Sequence, residues 1–272
     1  MNNQVGWDNF SREVEQAEEN INLGKASLFY AQAQYLYLDI QKYLDTLDFY
    51  ASDIRTQLPT GFYPLKVIQV INNYLFEKLK FRGNEQDYYN PSNSFLNEVI
   101  DRKIGIPITL SVIYLEVAQR LNFPMVGIGM PGHFLIRPEF EDVGIYVDTF
   151  NQGEILFEQD CQEKLNRLYQ QPVKLEPRFL APVGKRQILA RMLTNLKHIY
   201  LHYRNFDAAL ATINGILILF PDNANEFRDR GLLFYQLNRW QEAIPDLESY
   251  LNILPNAEDA SVIQALLNKI NR

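Results

Sequence analysis

Ile104-Gly105-Ile106-Pro107-Ile108-Thr109-Leu110-Ser111-Val112-Ile113-Tyr114-Leu115-Glu116-Val117-Ala118-Gln119-Arg120-Leu121 is the stretch whose reading decides the fold. Gly105 breaks the segment before it, and Pro107 suits a first helical turn because it has no N–H to leave unsatisfied. From Ile108 to Leu121 apolar residues cover most of the helix circumference, leaving Glu116, Gln119 and Arg120 as a polar edge. That pattern predicts a central, buried helix. Beyond it, 125–129, 133–137 and 144–148 read as short strands separated by turn residues. His133 then falls on the second strand and Asp148 at the end of the third. A carboxylate beside an imidazole can orient the ring and stabilise its charged form, which supplies two members of a nucleophile, base and orienter set.

The order of helix, His strand and Asp strand resembles transglutaminase-like and papain-like cores, in which a Cys nucleophile sits at the helix N-terminus. Aligning Gly105, Leu121 and Pro124 with that pattern puts the nucleophile position on Pro107, with His133 and Asp148 at the other two positions. A closer resemblance, to SirB-type bacterial proteins, is carried by 81–84, 87–89, 94–99, Gly105-Ile106-Pro107-Ile108-Thr109-Leu110-Ser111, 131–135 and 148–151. It implies a transglutaminase-like core followed by tetratricopeptide repeats. The fold expected is α+β: a mostly helical first domain with a small antiparallel sheet, then an all-α domain of helical hairpins.

Outward from the core helix, the acidic residues before Lys25 read as a peripheral segment, 1–25. Segments 26–37, 40–53 and 64–79 carry apolar residues at helical spacing. Residues 82–94 form a polar loop, and Asn84, Tyr88, Asn97 and Ser111 are the candidates to line a cleft beside the core helix. Pro172, Pro177, Pro182 and Gly184 oppose regular helix, so 172–184 reads as a linker closing a domain over 26–171. Past it a 34-residue period emerges: Tyr200 with Phe234, Phe206 with Trp240, Ala209 with Ala243, Ile213 with Leu247, Pro221 with Pro255. That is the length of a tetratricopeptide repeat. Repeats are placed at about 190–223 and 224–257 within a domain over 185–272, with a capping helix at 258–270. Asn195, Arg228 and Arg230 are the residues expected to face a peptide-binding groove.

The chain has 272 residues and is 47% hydrophobic, enough for a substantial core without staples. Its one cysteine, Cys161, excludes an intramolecular disulfide, and no long apolar run or basic-apolar leader appears, so a cytoplasmic protein with no membrane span is expected. Net charge is −7, divided unevenly: residues 1–160 hold 12 Lys and Arg against 22 Asp and Glu, and residues 161–272 hold 14 against 11. Within 164–204 Glu176 is the sole acid among nine basic residues, a stretch able to attract an acidic partner. The acidic total and lack of a binding motif argue against nucleic acid. His198 and His202 share one helix face without a third ligand, and no phosphate-cradling glycine loop or Cys-x-x-Cys pair occurs, so neither metal nor cofactor is expected.

Two functions fit these residues. In the first, the chain is a non-catalytic interaction, regulatory or assembly factor: a degenerate transglutaminase-like domain without its nucleophile, coupled to repeats that bind a protein or peptide. In the second it is a hydrolase or acyl-transferase of peptidase or amidase class, in which Cys161, Ser111 or Thr109 replaces the missing nucleophile. Distance from His133 decides between them.

Overall fold

The structure is a computed structural model that describes residues 2–59, 61, 63–140 and 144–270. The chain divides into two compact units, Met1–Met192 and Leu193–Arg272. In the first unit, helices α1 (Asn2–Val14), α2 (Leu23–Gln34), α3 (Ile40–Arg55), α4 (Pro64–Asn72), α5 (Leu96–Arg102) and α6 (Pro107–Arg120) precede the main sheet. A two-residue parallel pair, β1 (Arg82–Gly83) with β2 (Ile104–Gly105), fixes the entry to α6. Strands β3 (Met125–Ile128), β4 (Leu135–Pro138), β5 (Tyr146–Asp148), β6 (Glu154–Leu156) and β7 (Pro182–Val183) form an antiparallel sheet in the order β6-β5-β4-β3-β7. Helix α7 (Glu158–Tyr169) follows β6. The fold is therefore α+β, mostly helical with a small antiparallel sheet, as its residue pattern predicts.

Helix α6 begins at Pro107, and every residue from Pro107 to Ala118 is buried. Its first turn is held by Thr109, whose hydroxyl accepts the Ile106 N–H at 3.1 Å and donates to the Asn93 carbonyl at 2.8 Å. Glu116 and Arg120 of its polar edge are satisfied internally, and Gln119 is exposed. Glu116, fully buried, accepts the Gly24 N–H at 2.9 Å and meets Arg120 at 2.5 Å. The helix expected over 64–79 turns π-helical at Asn73–Lys78, which keeps Tyr74, Leu75 and Phe76 buried.

Three expectations are corrected. The N-terminal segment is not peripheral, because α1 packs on α2 and buries Phe10 and Val14. Gly6 permits that approach: a Cβ there would lie 2.5 Å from the Ala33 nitrogen. Gly6, Phe10 and Val14 recur every fourth residue, a helical signal masked by the surrounding acids. The Pro-rich stretch is no free linker either, since Pro182 and Val183 pair with Ile128 and Gly127. Proline is admissible there because β7 lies at the sheet edge, where a missing N–H breaks no second ladder. Finally, His133 lies in the turn before β4, not on the strand, because Pro131-Gly132 bends the chain and Gly132 takes φ +68°.

The boundary between units falls inside α8 (Lys185–His202). In the second unit, α9 (Phe206–Leu219), α10 (Ala224–Gln236), α11 (Trp240–Ile253) and α12 (Ala260–Ile270) continue the helical hairpins. The 34-residue period is visible in three dimensions. Phe206 and Trp240 each begin a helix, Arg204 and Asn238 take left-handed turns before them, and Ala209 and Ala243 are both fully buried. Gly231 sits where α10 meets α11; a Cβ there would lie 2.7 Å from a Leu247 methyl. Lys197 stands 34 residues earlier, in place of a glycine. Its buried ammonium is held by Glu226 at 2.6 Å and Asp229 at 3.0 Å, both on α10.

Candidate functional site

Asp148 ends β5 and has no exposed surface. The turn after it folds back onto its carboxylate. The Phe150 and Asn151 N–H groups donate to Oδ1 at 3.1 and 3.3 Å, and the Asn151 side-chain amide donates to Oδ2 at 2.8 Å. This is an Asx-type turn, in which a side chain replaces the backbone acceptor. His133 Nε2 approaches Oδ1 to 2.9 Å, at ion-pair distance but not in line for a straight N–H···O bond. Lys164 from α7 reaches Oδ2 at 3.0 Å and Glu154 at 3.1 Å. Burial pushes the Asp148 carboxyl up, but His133, Asn151 and Lys164 outweigh it and hold the group below the usual carboxylate range. Asp148 is thus held in its ionised form. Lys164, which opposes it from the other side, is a member of the site that spacing alone did not reveal.

The other approach to His133 is aromatic. Phe150 stands edge-on to the His133 ring at 6.4 Å and to Tyr88 at 6.1 Å, while Tyr88 and the more exposed Tyr89 are in edge contact at 5.4 Å. Arg191 donates to the His133 carbonyl at 2.8 Å and lies over the Phe134 ring. The 82–94 loop is organised by Asn93, a buried residue that sequence reasoning passed over. Its amide donates to the Asp87 and Tyr88 carbonyls, and its side-chain oxygen accepts from Asn84 at 3.0 Å. Tyr88 therefore reaches the His133 neighbourhood through Phe150, whereas Asn84 serves the loop itself. Asn97 is buried in α5, and among the described residues its Oδ1 has no hydrogen-bond partner.

The helix start adjoins this pair. Thr149, next to Asp148, donates to the Pro107 carbonyl at 3.2 Å and lies 2.9 Å from the Ser111 hydroxyl. Ser111 and Thr109 are both fully buried, and Thr109 is occupied by the helix cap. Cys161 is fully buried among Ile128, Met130, Leu135, Tyr146 and Leu156. Burial pushes its thiol up to about 12. Among the described residues no hydrogen bond joins the His133 ring to Cys161, Ser111 or Thr109.

In the second unit, Asn195 is half-buried on α8. Arg228 pairs with Asp229 and Asp259, and Arg230 grips Asp246 through two bonds of 2.7 and 2.6 Å while also donating to Asn214. His198 and His202 are exposed. The basic stretch is largely spent within the chain. Lys164, Arg167, Arg178, Arg186 and Lys197 have acidic partners, and Lys185 and Arg191 donate to backbone carbonyls. Among the described residues no helix is long and apolar enough to cross a membrane.

Comparison with known proteins matches residues 41–194 to the transglutaminase-like superfamily and 196–268 to the tetratricopeptide repeat. A UPF0162 protein of Xylella fastidiosa is 35% identical over 255 residues, spanning 92% of this chain and 90% of its own. F-box only protein 21 of Pongo abelii is 26% identical over 221 residues, 76% of this chain and 35% of its own. Among solved structures, the APC/C hetero-tetramer Cut9-Hcn1 aligns with 92% of this chain and 36% of its own, at 16% identity and a TM-score of 0.29, too low to argue a shared fold.

Proposed function

Because this chain belongs to the transglutaminase-like superfamily, carries tetratricopeptide repeats and has UPF0162 proteins as full-length relatives, we propose that it is a non-catalytic interaction or assembly factor. Its first domain keeps the base and orienter of an acyl-transfer site without the nucleophile. The observation that carries this is Pro107 at the start of α6, the position the resemblance gives to the nucleophile, joined through Thr149 to the His133–Asp148 pair, while the nearby Thr149 and Ser111 hydroxyls are bonded to each other. The substitutes lend no support to the hydrolase reading: Cys161 lies in an apolar cluster with its thiol pushed up, Thr109 caps the helix and Ser111 bonds Thr149.

Repeats of this class mediate protein–protein contacts, and the peptide groove is placed at Asn195, Arg228 and Arg230. Both arginines already hold carboxylates of their own unit, which favours a ligand of mixed polarity over a strongly acidic one. The 164–204 stretch, mostly neutralised internally, is a secondary attachment for an acidic partner. The motifs around Gly105 and His133 support the SirB-type assignment, the domain scheme proposed is a transglutaminase-like unit reaching Met192 followed by a repeat unit, and the single cysteine supports a cytoplasmic protein.

The test is to follow hydrolysis of activated esters and glutamine amides by the wild-type chain and by His133→Ala, alongside binding to a peptide array. Equal background rates, with array binding kept in His133→Ala and lost in Asn195→Ala/Arg230→Ala, are expected. Turnover that depends on His133 would overturn the non-catalytic reading.

A further inference from the structure

At the end of α6 remote from Pro107, a cavity of about 450 Å³ opens between α6, β3 and the two segments expected to lie outside the core. Leu115, Glu116 and Gln119 from the last turns of α6 line it. At 1.5 Å per residue these lie roughly 12–18 Å along the helix from Pro107, so this cavity is separate from the His133 site. Its apolar walls include Leu23, Leu115, Val126 and Ile188. The volume falls in the range of small-ligand and side-chain pockets, about 300–1,000 Å³.

The charge around this cavity is specific. Glu18, Glu19, Glu116 and Glu139 border it, with Lys185 as the basic residue of the lining. Glu116 is neutralised by Arg120 at 2.5 Å and Glu18 by Arg186 at 2.7 Å. Lys185 turns its ammonium to the Glu19 and Ile21 carbonyls at 2.8 and 2.7 Å. Glu19 and Glu139 are exposed at the rim, and among the described residues neither has an ion-pair partner. With Glu116 and Glu18 paired and Lys185 bound to carbonyls, Glu19 and Glu139 are the lining carboxylates left to face a ligand over an apolar hollow. We propose that the cavity is a docking pocket for a basic peptide segment: the aliphatic stem of one Lys or Arg lies along Leu115, Val126 and Ile188, its cation faces Glu19 and Glu139, and an adjacent apolar residue fills the remaining volume.

The experiment is an NMR titration of the full chain with acetyl-Leu-Lys-Leu-amide, using acetyl-Leu-norleucine-Leu-amide as the uncharged isostere and spermidine as a free amine. Saturable shifts at Leu115, Val126, Gly127 and Ile188 are expected with the lysine peptide. Binding should weaken about fivefold in Glu19→Gln/Glu139→Gln, the effect of removing two exposed charge contacts, and also in high salt. Both glutamates are exposed, so the variant folds. His133→Ala and Asn195→Ala/Arg230→Ala should bind equally well, which separates this pocket from the function proposed above. Equal binding of the norleucine peptide, shifts confined to other residues, indifference to the double variant, or a preference for spermidine over the peptide would each overturn the proposal.

Discussion

Asp148 carries its charge with no surface in water, and four groups hold it there: His133, Lys164, Asn151 and the turn backbone. Asp148→Asn removes the charge that His133 and Lys164 face, and should cost about 2–3 kcal/mol at pH 7. Folding lowers the pKa of this carboxyl, so its contribution is complete above the ordinary value near 4. It is lost as pH falls from there toward the lower folded value. Urea unfolding should show a wild-type-to-variant gap that narrows as pH falls below about 4; a gap that widens below that pH would refute the assignment. Cys161 makes a second, opposite case. With its thiol pushed up to about 12, it should react with a disulfide reagent at pH 8 at least ~100-fold more slowly in the folded chain than in denaturant, the thiolate being the reactive form. Fast native labelling would return Cys161 to the list of nucleophiles.

Helix α6 is the element through which both domain character and site are set. Placing a thiol at its first residue, Pro107→Cys, puts sulfur at a helix N-terminus whose first carbonyl meets Thr149, the neighbour of Asp148, and a cation facing it from His133 should lower the thiol pKa. The ultraviolet absorbance of the thiolate should then appear at lower pH in Pro107→Cys than when His133→Ala is added; a thiol titration indifferent to His133 would mean that the pair does not face the helix start. This helix was legible because Gly105 and Pro107 punctuate its beginning and apolar residues surround it. The 34-residue hairpins were legible because small and aromatic residues recur in phase. The burial of helix α1 was not, since its apolar stripe of Gly6, Phe10 and Val14 lies amid polar residues. Strand β7 was missed because proline normally argues against a strand and is tolerated at an edge. Lys164 was missed for a different reason: its partner lies across a turn, and tertiary ion pairs leave no local period. The Asp148–His133 pairing was foreseen, yet the turn geometry that delivers His133 depended on Gly132.

At the scale of the molecule, the first unit extends to Met192 and takes the opening half of α8 into its core, where Ile188, Leu189 and Met192 are almost wholly buried. A fragment ending at residue 184, where the prolines suggest a boundary, lacks those three side chains. Each contributes about 1.5–3 kcal/mol of burial, a sum comparable with the stability of a whole domain. A 1–184 fragment should therefore show no cooperative thermal transition by circular dichroism, whereas 1–204 should melt as a single step. Cooperative melting of 1–184 would place the fold's limit before α8.

The edge of the sheet has a further consequence. On one side it closes with two residues, and the first of them is Pro182. A strand so short, with one amide hydrogen removed, gives a neighbouring molecule almost no ladder to extend. A chain lacking these two residues would leave the backbone of Gly127 and Ile128 open as a template for intermolecular strand addition.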